Sequence, residues 1–174
     1  LKGLNLFWQL HLPMEELLQI GVKLGADVPF CLMDKPMRAQ GIGEILTPVC
    51  CKRIFPLLLI QPCEGLSTKE IFTAFHQENP EKGNVPGVME ALAEGDLEKM
   101  DACAVNMLQE VSARKKPELL TAIDALRSAD AAFARMTGSG SVVFGVYESR
   151  KQAEKAYAQL QKMYPVCILT ETAL

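Results

Sequence analysis

The sequence predicts an α+β fold with helices packed on one face of an antiparallel sheet, a split β-α-β arrangement. Three observations carry this reading. Ile54 to Ile60 is a continuous apolar run, the mark of a buried strand. Ala131 to Met136 and Val142 to Tyr147 are two more strand-like runs, parted only by Thr137-Gly138-Ser139-Gly140-Ser141. Between and after these strands the apolar residues recur at helical spacing, so the order from Ile54 onward reads β-α-α-α-α-β-β-α-β.

Leu1 to His11 reads as the second half of a helix, with Leu4, Phe7, Trp8 and Leu10 on one broad face. Pro13 suits the first turn of a second helix, followed by Glu15 and Glu16 at its positive end. Leu17, Leu18, Val22 and Leu24 are its stripe, and Gly25 its C-cap. Ala26 to Pro29 reads as a turn into a short strand, Phe30 to Met33. Gly41-Ile42-Gly43-Glu44 is a tight turn between two extended pieces. Ser67-Thr68-Lys69-Glu70 has capping-box spacing and opens a helix through Phe75. Residues 79–87, rich in Pro and Gly, read as a loop. Val88 to Ala93, Leu97 to Val111 and Pro117 to Ala125 read as helices. Ser149 caps a last helix to Met163, with Ala153, Ala156, Leu160 and Met163 inward, and Val166 to Leu169 is the final strand.

Composition narrows the function classes. Hydrophobic residues make up 49% and charged residues 22% of 174 residues, ordinary for a globular chain and incompatible with disorder. The net charge is −3, whereas a general nucleic-acid binder carries a basic excess. Six cysteines include no C-x-x-C pair, and His11 and His76 are far apart, so a structural zinc site lacks its ligands and reduced thiols are expected. The longest apolar runs are far too short to span a bilayer. Residue 1 is Leu, and the chain opens as if inside a helix, which reads as a fragment.

Three segments have chemical potential. Asp27, in Leu24-Gly25-Ala26-Asp27-Val28-Pro29-Phe30, stands between apolar elements, where a partly desolvated carboxylate serves as a general base. The same residue also reads as a turn Asp capping backbone amides. The two glycines of residues 137–141 let successive amides face an anion, with Ser139 and Ser141 adding hydroxyls. That spacing is neither a Walker A loop nor a dinucleotide fingerprint, and it also fits a plain hairpin loop. The helix opening at Ser67 follows a buried strand, a place for phosphate, and Phe72 on its second turn either stacks on a base or packs the core.

In order along the chain stand Leu-Gly-Ala-Asp27-Val-Pro-Phe, Gly41-Ile-Gly-Glu44-Ile-Leu-Thr-Pro48, Ser67-Thr68-Lys-Glu-Ile-Phe72 and Met136-Thr-Gly-Ser-Gly140. This set resembles the C-terminal part of the 4-diphosphocytidyl-2-C-methyl-D-erythritol kinase family, within the GHMP kinase superfamily. Leu1-Lys2-Gly3-Leu4-Asn5 with Trp8 resembles the helix that follows that family's glycine-rich ATP loop. The resemblance covers nearly the whole chain, with residues 78–131 matching only loosely. It departs at Ser141, where many relatives have Pro, and at Ser128-Ala129-Asp130-Ala131, where a Gly-Ala pair is common.

The resemblance implies a GHMP-kinase-like fold. Residues 51–174 would form its C-terminal domain, a ferredoxin-like split β-α-β sandwich, and residues 1–50 a remnant of the N-terminal lobe carrying the catalytic Asp. It implies transfer of the ATP γ-phosphoryl group to the 2-hydroxyl of the CDP-linked methylerythritol, in isoprenoid biosynthesis outside the mevalonate route. Asp27 would take the hydroxyl proton, Thr68 and Phe72 would form a substrate wall with Phe72 on the cytosine, and Gly138, Ser139 and Gly140 would be the third superfamily motif. ATP would be a co-substrate, with Mg2+, and the chain would hold no resident metal. Partners would be small molecules in a bacterial cytoplasm, with neither nucleic acid nor membrane, and exposed apolar surface would favour self-association. The family's ATP loop, catalytic lysine and N-terminal substrate motif have no counterpart here, so this stretch alone is expected to be inactive. Two other readings stay open: another GHMP kinase, acting on homoserine or mevalonate, and a non-catalytic α+β ligand-binding module.

Overall fold

A computed structural model describes residues 1–75 and 82–172; His76 and the first residues of the loop expected at 79–87 lie outside them. The chain forms two compact units, Leu1–Cys51 and a second that runs from Lys52 to Thr172.

The first unit holds α1 (Lys2–Phe7), α2 (Met14–Leu24), α3 (Val28–Met33) and a hairpin of β1 (Met37–Gln40) and β2 (Ile45–Pro48). The Asn5 side chain clamps Leu12 from both sides, donating to its carbonyl at 3.1 Å and accepting from its amide at 3.0 Å. In α2, Glu15 and Glu16 lie at the positive end and Lys23 at the negative end, each matched to the helix dipole. Gly21 lets α3 close on α2, since a Cβ there would stand 3.2 Å from Leu32 Cδ1 and 3.2 Å from Val28 Cγ1. Leu24, assigned to the apolar stripe from sequence, is 66% exposed.

The strand expected at Phe30–Met33 is the helix α3. Pro29 explains the difference. It occupies the first turn, where its missing amide hydrogen breaks no helical bond and its fixed φ is already helical. The helix ends at Asp34, which takes the left-handed conformation, φ 54° and ψ 38°.

The second unit contains β3 (Pro56–Gln61), α4 (Thr68–Phe75), α5 (Val85–Glu94), α6 (Leu97–Cys103), α7 (Gln109–Lys115) and α8 (Glu118–Ser128). It continues with β4 (Phe133–Met136), β5 (Val143–Val146), α9 (Arg150–Leu160) and β6 (Val166–Glu171). The sheet runs β4-β5-β3-β6 with every pair antiparallel, and Leu58 faces Gly145 on one side and Leu169 on the other. With α8 between β3 and β4, and α9 between β5 and β6, this is the split β-α-β sandwich.

The core lies between one sheet face and these two helices. Leu58 and Ile60 point inward with Ala134, Met136 and Val143, and meet Leu119, Ala122, Leu126, Ala153, Ala156 and Leu160. Leu57 and Leu59 alternate to the other face and are only half-buried, so the unbroken apolar run of β3 follows the strand's period of two in burial. Ile54 lies before the strand and is exposed. The strand begins at Pro56, a first position that does not need the missing amide hydrogen.

Three helix expectations change. Residues 97–111 form two helices, because the backbone leaves the α region at Ala104 (φ −79°, ψ 125°). The helix read from Val88 starts at Val85, because the Asn84 side chain caps it by accepting from the Gly87 amide at 3.1 Å. The last helix stops at Leu160, leaving Met163 exposed at 63%. Ser149 caps it as read, accepting from the Gln152 amide at 3.3 Å.

Candidate active site

In the first unit, Asp27 is the residue before α3, with φ −86° and ψ −12°. Its side chain is exposed and makes no cap hydrogen bond, so the partial desolvation expected from its apolar neighbours is not seen within this unit, nor is the capping role. Its backbone carbonyl accepts from Cys31 at 3.1 Å, which places the carboxylate at the opening turn of α3.

The Gly41–Glu44 turn is built against that same turn. Gly43 has φ 121°, and a Cβ there would stand 2.5 Å from the carbonyl oxygen of Ala26. Only glycine meets both demands. The Glu44 carboxylate then folds back onto the turn, accepting from the Ile42 amide at 2.7 Å. Two sequence blocks far apart in the chain thus meet one residue before Asp27.

In the second unit, α4 and the turn between β4 and β5 come together. Thr68 Oγ1 and Ser139 Oγ lie 2.9 Å apart. Phe72 sits four residues after Thr68, on the same face of α4, and is 44% exposed. Ile71 fills the core instead. The Ser67 hydroxyl accepts from the Glu70 amide at 3.4 Å, a weak form of the expected cap. Gly138 and Gly140 have φ 56° and 86°. A Cβ on Gly140 would also collide with Met136 Sδ at 2.8 Å, so the turn closes onto the end of β4. Ser141 is buried and donates to the Cys63 carbonyl at 2.8 Å, which ties the turn to the segment after β3.

Sequence reading missed a set of side chains behind this turn. Asn106 Nδ2 donates to the carbonyls of Met136 at 2.8 Å and Gly138 at 2.9 Å, while its Oδ1 accepts from the Leu108 amide at 3.0 Å. Gln109 Oε1 accepts from the Met136 amide at 2.9 Å. Ser112, fully buried, donates to the Ser139 carbonyl at 3.0 Å. An Asn in the middle of an expected helix was the available signal, since that residue favours caps and turns over helix interiors.

Among the described residues no group of three or more His, Cys, Asp or Glu is placed to hold a metal ion. No helix there is long and apolar enough to cross a membrane.

A four-stranded antiparallel split β-α-β sheet with a glycine turn closed onto a helix start defines a class. Residues 88–166 match the family model for the C-terminal domain of GHMP kinases. The chain is also 36% identical over 165 residues to the 4-diphosphocytidyl-2-C-methyl-D-erythritol kinase of Alkaliphilus metalliredigens, covering 94% of this chain and 57% of that protein. It is 37% identical over 158 residues to the enzyme of that name from Lachnoclostridium phytofermentans, covering 90% of this chain and 54% of the relative. The chain therefore spans little more than half the length of these relatives. A crystal structure of 4-(cytidine 5'-diphospho)-2C-methyl-D-erythritol kinase superposes with a TM-score of 0.79 at 26% identity, over 97% of this chain and 60% of that one. L. major mevalonate kinase shares the fold, with a TM-score of 0.67 at 18% identity.

Proposed function

We propose that the protein to which this chain belongs phosphorylates the 2-hydroxyl of 4-diphosphocytidyl-2-C-methyl-D-erythritol with ATP, in isoprenoid biosynthesis. The observation that carries the reading is the joining of Thr68 to Ser139, with Phe72 exposed on the same helix face, in a chain 36% identical to a kinase of that name. A substrate-binding aromatic must be presented to ligand and not consumed by the core, and Phe72 meets that condition. Residues 1–50 serve as part of the N-terminal lobe.

Phosphoryl transfer asks mainly for positioning and charge stabilisation. Asp27 orients the attacking hydroxyl and accepts its proton as the new P–O bond forms and the bond to the ADP oxygen breaks. Thr68 and Phe72 hold the cytidine end, with Phe72 stacked on the base. Gly138, Ser139 and Gly140 border the phosphates, whose charge Mg2+ carried in with the nucleotide would offset. The partners are small molecules, and the enzyme works in the bacterial cytoplasm.

The test uses the full-length enzyme and its Asp27→Asn variant, assayed with ATP and the CDP-linked alcohol. We expect kcat to fall by about 10²–10⁴-fold with little change in KM, the usual range for loss of a positioned acid–base group. Equal turnover by the two enzymes refutes the role of Asp27. A preference for homoserine or mevalonate as acceptor moves the chain to another branch of the GHMP kinases.

A further inference from the structure

We infer that Asn106, supported by Gln109 and Ser112, is the positioning residue that sets the glycine turn 137–141 and turns the Ser139 amide toward the phosphates. This rests on the kinase reading above. Among the described residues β4 is an edge strand, paired only with β5. The Thr137 amide donates inward to the Val142 carbonyl at 2.9 Å, so the Met136 amide and carbonyl face outward from the sheet. Left open, such an edge costs hydrogen bonds and invites strand pairing. Among the described residues no strand covers it. Gln109 takes the Met136 amide, and Asn106 takes its carbonyl.

The same Asn106 amide nitrogen uses its other hydrogen on Gly138, two residues further along, and so spans strand end and turn. Ser112 fixes the next carbonyl, that of Ser139. A trans peptide plane holds C=O and the following N–H in opposite directions. With the Gly138 carbonyl drawn back to Asn106, the Ser139 N–H points away from Asn106. With the Ser139 carbonyl drawn back to Ser112, the Gly140 N–H turns to the Thr137 carbonyl, where it donates at 3.0 Å. Among the described residues the Ser139 amide has no protein acceptor, and its own hydroxyl faces Thr68. The turn therefore presents an unspent Ser139 donor beside the helix face that carries Phe72, and the Gly138 and Ser141 amides are likewise without a protein acceptor among the described residues. An anionic oxygen of a phosphoryl group is the acceptor such a donor suits.

Asn106→Asp separates this role from mere bulk. It keeps the acceptor for the Leu108 amide but sets a carboxylate oxygen against two carbonyls. In the full-length enzyme we expect kcat to fall about tenfold or more, while KM for the alcohol moves less than about threefold, the split expected when an interaction matters in the transition state. Hydrogen exchange of the same protein should show faster exchange confined to residues 136–141. In that exchange measurement Gln109→Glu, which keeps the acceptor for the Met136 amide, should retain protection that Gln109→Met loses. If Asn106→Asp fails to fold, Ser112→Ala, which releases only the Ser139 carbonyl, takes its place with the same expectations.

Unchanged kcat, or a turn whose exchange does not respond, overturns the inference. So does a kcat loss accompanied by a uniform rise in exchange over the whole chain. Failure of the kinase reading looks different: the wild-type enzyme then does not turn over the CDP-linked alcohol, while the exchange comparison still reports whether Asn106 holds the turn.

Discussion

Tyr147 lies at zero exposure in the core, yet its hydroxyl meets no partner among the described residues. A buried donor without an acceptor carries an uncompensated desolvation cost of about 1–3 kcal/mol. Tyr147→Phe removes that group with the ring left in place, so the variant should melt higher than the parent. Burial, with smaller contributions from Cys167 and Asp130, also pushes the Tyr147 hydroxyl well above its ordinary value of 10.0. The unfolded chain can ionise this tyrosine above about pH 10 while the folded chain cannot, so the unfolded state holds fewer protons there and stability falls as pH rises, by about 1.4 kcal/mol per pH unit for this one group. Below pH 10 the contribution is constant. Urea melts between pH 8 and 11 should show the alkaline loss in the parent and a shallower one in Tyr147→Phe; the slope persists in part because burial also raises Tyr164 and Cys167. Phe72 is the opposite case, an aromatic at the surface. In the full-length enzyme Phe72→Ala should raise KM for the CDP-linked substrate by about 5–150-fold, the value of one base stacked on an aromatic ring, with kcat changed less. Phe72 was legible as a candidate because capping spacing places it on the second turn of a helix that follows a buried strand, whereas Thr68 was a candidate only through the family resemblance. Asn106 was not legible, because its function depends on an edge strand 30 residues away in sequence.

At the scale of elements, the outcome depended on whether the deciding interaction was local. The helix caps at Ser67 and Ser149 and the turn at residues 41–44 were readable, since each is settled within a few residues. The run Phe30–Met33 was not, because four apolar residues fit a short strand and a short helix equally well. The close approach of α2 at Gly21 and the placement of Pro29 favour helix there. The division of residues 97–115 into α6 and α7 likewise follows from a side chain leaving the helix to serve a distant strand. The turn between β1 and β2 carries the sharpest prediction at this scale. Gly43→Ala adds a Cβ 2.5 Å from the Ala26 carbonyl at a φ of 121°, so both backbone strain and a clash with unyielding backbone oppose it. We expect a loss of about 1–3 kcal/mol in stability. The segment before Asp27 must also shift, so kcat of the full-length enzyme should fall even at temperatures where the variant is fully folded. Wild-type kcat in a folded Gly43→Ala enzyme would show that this contact does not set the Asp27 turn.

At the scale of the whole chain, the two units differ in how well they bury their apolar residues. The second unit closes a contiguous core between its sheet and α8 and α9, and its architecture followed from apolar periodicity and the order of elements. The first unit leaves Leu6 at 82%, Phe7 at 79% and Trp8 at 59% exposure on and just after a helix of six residues. Helices this short are marginal in water unless packing holds them. Covering each such side chain is worth about 1.5–3 kcal/mol, so surface of this kind drives association when nothing else covers it. We propose that the 174-residue chain by itself associates through α1 as its concentration rises. Trp8 is the only tryptophan, so its fluorescence reports this surface alone. Its emission should move to shorter wavelength with concentration, in step with a rise in sedimentation coefficient. Leu6→Glu combined with Phe7→Glu should abolish both changes without altering the melting of the second unit. A chain that sediments as a monomer throughout, with Trp8 emission fixed at the position of a solvated indole, would mean that this apolar surface does not drive self-association.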